Sequence, residues 1–205
     1  MPIMGKTKKD ILLEFRTTEI LEAARVVFAK KGFHDATVDD IAEAAGVAKG
    51  TVYLYYRSKR EIYFEALKFG IASMNRDVQR RVREAKTAED KLRALIATKM
   101  EYCDRNRDFF RIYYSELGKI PLHPSTMDTE ITAYYLEQAK LVEFILVEGI
   151  RKRVIRKLPT DRAAFAISDA IRGVVTQRIL GWSKSEIGDD IDFLFDLVWK
   201  GIAAS

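Results

Sequence analysis

Between Pro2 and Pro121 the chain contains no proline. A proline inside a helix removes a backbone hydrogen bond and costs about 3 kcal/mol. More than half of the 205 residues are therefore free of the strongest helix breaker. Glycine is also sparse, with 11 residues, and proline totals 4. Residues rich in Ala, Leu, Glu, Lys and Arg fill the space between, and such a chain forms helices. Its 48% apolar content can fill a core, and its 32% charged content can clothe one. The expectation is an all-α protein of about nine helices and one to two domains.

Several classes drop out on the same sequence. The longest run without Lys, Arg, Asp or Glu is residues 120–127, too short to cross a bilayer as a helix. Residues 1–10 are basic and lack the apolar stretch of a signal peptide. Cys103 is the single cysteine, and His34 and His123 are the only histidines. An intrachain disulfide, a cysteine-built zinc site and a His-rich cluster are excluded or disfavoured. No Ser-His-Asp arrangement, glycine-rich phosphate loop or HExxH motif is found. The chain reads as a soluble, cytoplasmic non-enzyme without a cofactor.

Charge is unevenly placed. The net charge is +5, and residues 44–60 contain Lys49, Arg57, Lys59 and Arg60 with no acid. Mixed signs are usual on a surface this polar, so this cluster points to an anionic partner. Residues 1–15 are expected to be a basic arm with Lys6, Lys8 and Lys9.

Helical periodicity organises the same region. Ile20, Ala24, Val27 and Phe28 lie on one face of a first helix that Gly32 closes. Thr37 and Asp40 have capping-box spacing and open a second helix with the stripe Val38, Ile41, Ala42, Ala45. Gly46 ends it after two turns, and a third short helix spans about residues 49–56. Two short helices around a tight glycine turn have the spacing of a helix-turn-helix, here at about residues 37–56. The second of them would lie in the major groove of double-stranded DNA. Lys49, Gly50, Thr51 and Leu54 form its groove-facing set: a long cation, a close backbone approach, a hydroxyl with a methyl, and an apolar side chain. Thr37, Tyr53, Tyr55 and Lys59 suit the phosphates, and Tyr56 suits the core. Ser58 and Glu61 then cap a long helix with the stripe Ile62, Ala66, Leu67, Ile71, Met74, Val78, Val82, expected to link two domains.

These residues resemble the DNA-binding domain of TetR-family transcriptional regulators. Gly32-Phe33, Thr37, Asp40-Ile41-Ala42, Ala45-Gly46-Val47, Lys49-Gly50, Tyr53 and Ser58-Lys59 stand at that family's spacings. The likeness covers about residues 14–74. Ala48 departs from the family's usual capping Ser or Thr, Tyr56 from its Phe, and Arg60 from its acid. The resemblance implies a symmetric homodimer, with residues 75–205 forming a helical effector-binding and dimerisation domain. It implies a regulator, usually a repressor, released from a palindromic operator by a small molecule.

For that second domain the sequence offers two candidate surfaces. Ala163, Ala166, Ala170 and Gly173 make a small-residue stripe on one helix. Ile191, Leu194, Phe195 and Val198 make an apolar stripe on the last helix, widened by Phe193 and Leu197. Ala166, Ala170, Gly173, Ile191, Leu194, Phe195 and Val198 are therefore expected at the dimer interface. Tyr102, Phe110, Tyr113, Tyr114 and Phe144, with the polar Gln177 and Arg178, are expected to line a pocket for an apolar or amphipathic effector. The alternative is a second domain of the same fold that binds a protein partner.

Overall fold

A computed structural model describes residues 7–107, 110 and 129–204. Among the described residues there are eight helices: α1 (Lys8–Asp35), α2 (Val38–Ala44), α3 (Lys49–Tyr55), α4 (Lys59–Glu84), α5 (Ala88–Arg105), α6 (Thr129–Arg151), α7 (Thr160–Ile179) and α8 (Ile187–Ile202). Tyr113 and Tyr114, expected to line a pocket, lie outside the described residues. Contacts divide the chain into two compact units, Met1–Gly70 and Ile71–Ser205, with the boundary inside α4.

In the first unit, α1 packs on α2 and α2 on α3. Helix α1 begins at Lys8, so residues 8–15 are helical where an arm was expected. Gly32 adopts φ 76°, which interrupts the regular helix before a last turn through Asp35. Thr37 caps α2 as its spacing requires: its hydroxyl accepts from the Asp40 amide, and the Asp40 carboxylate accepts from the Thr37 amide. Gly46, at φ 66°, turns the chain between α2 and α3. Ile20, Ala24, Phe28, Ile41, Val52, Tyr56 and Ile62 fill the core. Phe28, Phe33 and Tyr63 stack around it at centroid distances of 5.0–6.1 Å.

The second unit is a helical bundle. Helix α5 packs against α6, α7 and α8, while α7 touches both α6 and α8. Thr87 caps α5 through the Asp90 amide. Leu92, Leu95, Ile96, Met100 and Cys103 then face inward. Gly149 on α6 permits a close approach, because a Cβ there would come within 2.7 Å of Ile155 Cγ1. The buried stripe of α4 continues into this unit as Ile71, Met74, Val78 and Val82. A short antiparallel bridge pairs Ile155 with Ala203 near the end of α8.

Candidate functional site

Helix α3 presents a stripped outer face. Only Val52 of its seven residues is buried. Leu54 is 81% exposed, Tyr53 is exposed, and nothing lies within 4 Å of a Cβ placed on Gly50. An exposed leucine on a short helix contributes nothing to this unit's own core, and it suits contact with a thymine methyl. Ala48 caps α3 without a side-chain hydrogen bond, so the helix starts with open amides. Thr51 and Tyr55 are half-buried at the flanks, and Tyr56 is buried. Lys49, Gly50, Thr51 and Leu54, the residues expected to read the groove, thus lie together on one short helix, with Tyr53 and Tyr55 on the same element.

The cations around it are partly engaged. Lys49 Nζ sits 2.7 Å from Asp39 Oδ2, and this hydrogen bond raises the amine above the usual lysine range. Lys31 holds Asp40 at 2.8 Å and, with the Thr37 bonds, lowers that carboxyl to about 2. Lys59 Nζ donates to the carbonyls of His34 (3.0 Å) and Ala36 (2.8 Å) and stands 4.8 Å from the Phe33 ring centroid. Two of its three protons bind the α1–α2 connection, which leaves one for a phosphate. Arg57 and Arg60 are both exposed. Both belong to the acid-free charge run of residues 44–60.

The second unit contains a cavity of about 250 Å³, lined by Asn75, Val78, Gln79, Leu95, Lys99, Glu137, Gln138, Lys140 and Leu141. It draws on α4, α5 and α6. None of the described residues expected to line a pocket is among these. Phe144 is exposed at 61% and cannot wall a cavity within the chain. Tyr102 and Phe110 are buried against each other, edge to face at 5.9 Å. Arg178 is a structural residue: it meets Asp104 at 3.1 Å, Asp190 at 2.5 Å and the Ser185 carbonyl at 2.9 Å. Gln177 is exposed, and Tyr113 and Tyr114 lie outside the described residues. Helical periodicity places only the stem of Lys99 inward, but the whole side chain is buried, with 7% exposed. Burial lowers its amine to about 8.

The comparisons with known proteins match this geometry. The family of bacterial regulatory proteins named tetR matches residues 20–66, from the middle of α1 into α4. Residues 20–66 carry the TetR-family DNA-binding domain. The chain is a DNA-binding transcription regulator, and α3 is the second helix of its helix-turn-helix. The fatty acid metabolism regulator protein of Bacillus subtilis is 28% identical over 185 residues, covering 90% of this chain and 94% of that one. The structure of FadR from Bacillus subtilis in complex with stearoyl-CoA is 25% identical, with a TM-score of 0.71 over 90% of this chain and 98% of that one. The fatty acid degradation regulator FadR from Bacillus halodurans shares the fold, with a TM-score of 0.77 at 24% identity over 95% and 96% of the two chains.

The last two helices of this regulator divide the expected interface set. Ala166 and Gly173 on α7 are exposed and Ala170 is half-buried, so the small-residue stripe faces outward. Ile191, Leu194, Phe195 and Val198 on α8 are buried within the chain, where α8 packs on α5 and α7. They cannot be the surface that meets a second copy. Phe193 and Leu197, four residues apart on the opposite side of α8, are the exposed apolar pair.

Proposed function

We propose that the regulator binds a two-fold operator as a homodimer and leaves it when a fatty acid or its CoA thioester occupies the second unit. The observation that carries this reading is the extent of the likeness to the Bacillus subtilis regulator. It runs through 94% of that protein, and so reaches well beyond the DNA-binding part into the second unit. The likeness to FadR in complex with stearoyl-CoA supports the acyl class, and the 250 Å³ cavity with Val78, Leu95 and Leu141 in its wall supports a ligand with an apolar body. That volume lies just under the roughly 300–1,000 Å³ of small-molecule sites. A protein-binding second unit has no comparable support.

In this reading Lys49, Gly50, Thr51 and Leu54 read bases, while Thr37, Tyr53, Tyr55 and the third proton of Lys59 meet phosphates. Helix α3 is the recognition helix, and Arg57 and Arg60 add backbone charge. A second copy covers the outward stripe of Ala166, Ala170 and Gly173 with Phe193 and Leu197. Two recognition helices must then reach half-sites about 34–36 Å apart. The effector acts by favouring a state of the dimer that misses this spacing, and DNA affinity is steep in phosphate contacts.

The test is an operator selected from random duplexes with the full chain, followed by fluorescence anisotropy of that duplex. Sodium decanoate or stearoyl-CoA should release it, and free coenzyme A should not. Retention of the duplex at saturating concentrations of both acyl compounds would overturn the acyl reading.

A further inference from the structure

Two donors on largely enclosed side chains line the same cavity without an acceptor among the described residues. Lys99 reaches it from α5, and no hydrogen bond or ion pair holds its amine among the described residues. The one charge influence on it is the Cys103 thiol, one turn further along α5. Gln138 Nε2 on α6 is buried with no hydrogen-bond partner among the described residues. Elsewhere in this unit the buried or half-buried cations are paired. Arg178 has Asp104 and Asp190, and Lys91 has Glu148 at 2.5 Å. A protonated amine deprived of water and of a counter-ion is costly. So is an amide donor without an acceptor.

The remaining polar lining does not relieve either group. Glu137 and Lys140 are exposed at the rim. Glu137 accepts from Gln79 Nε2 at 3.4 Å. The inner wall is Val78, Leu95 and Leu141. A cavity with an apolar wall and two idle donors, one of them cationic, is complementary to a group that only accepts and carries negative charge. A carboxylate has two acceptor oxygens and no proton. It would form a charge-assisted bond with Lys99 and take the amide of Gln138 on its other oxygen. A neutral alcohol brings its own donor and no charge, so it leaves the ammonium uncompensated.

We propose that the effector enters with a carboxylate held by Lys99 and Gln138, so that the regulator prefers a free fatty acid to a neutral molecule of the same chain length. The inference rests on the acyl reading above. Lys99 and Gln138 select the head group, and the apolar wall accepts the chain.

Isothermal titration calorimetry of the full chain with sodium decanoate and with 1-decanol at pH 7 tests it. In the wild type, decanoate should bind at least about tenfold more tightly than decanol, as a charge-assisted bond requires. In Lys99→Met that ratio should fall to near one while decanol binding is kept. Gln138→Leu should reduce the ratio part of the way, which guards against a folding defect in the first variant. A ratio near one in the wild type, or an unchanged ratio in Lys99→Met, would overturn the head-group assignment and leave the acyl reading standing. Binding of neither compound, nor of stearoyl-CoA, would overturn the acyl reading and this inference with it.

Discussion

Lys59 joins a structural role to the phosphate contact proposed for it. Its amine ties α4 to the carbonyls of His34 and Ala36, just ahead of the Thr37 cap of α2. Lys59→Ala leaves two carbonyls without this donor and would remove the proposed phosphate contact. The expected loss of stability is about 1–2 kcal/mol, read as a lower denaturant midpoint. Binding to every DNA sequence should weaken alike, with the salt slope reduced by about one. An unchanged slope would restrict Lys59 to its structural role. The sequence marks Lys59 as a cation at the start of a helix but cannot show its carbonyl partners, which lie 25 and 23 positions away. The same limit hides the role of Arg178, whose partner Asp104 is 74 residues distant. By contrast, the Thr37–Asp40 cap is legible because both partners lie within one turn.

At the scale of elements, periodicity identifies buried faces where polar residues mark the opposite side. The α4 stripe from Ile62 to Val82 is buried throughout. Helix α8 is apolar around most of its circumference, so its pattern cannot say which side faces α5. The structure turns Ile191, Leu194, Phe195 and Val198 inward and leaves Phe193 and Leu197 outside. The cavity is illegible for a related reason, since it depends on where α4, α5 and α6 fail to fill space. The contact of α5 with α6 also carries a pH signature. Glu148 on α6 is held at about 2, first by Lys152 and then by Lys91 of α5. Above its ordinary value of 4.5 the carboxylate is ionised in both folded and unfolded chains, and the pairs contribute fully. As pH falls from there through about 2, the unfolded chain takes up a proton first and that stability is lost. Tm should therefore fall across this window, and more shallowly in Glu148→Gln. An equal slope in the variant would place the acid sensitivity elsewhere.

In the whole molecule, one unit carries α3 and the other an outward apolar surface and a cavity, with α4 belonging to both. Leu197→Glu puts a charge on the surface assigned to the second copy without entering the core. It should leave the helical signal intact, yield a monomer by sedimentation, and reduce operator binding more than about tenfold, because the two half-sites no longer bind together. A dimer that survives Leu197→Glu would move the interface off this face. The central claim is that two chains share one operator and that an acyl effector parts them from it. Native mass spectrometry of the full chain mixed with its selected operator duplex tests it most directly. Two 23.5 kDa chains per duplex are expected. After addition of sodium decanoate or stearoyl-CoA, a duplex-free dimer that carries the acyl compound is expected. One chain per duplex, or a complex that keeps both its duplex and the bound acyl compound, would contradict the claim.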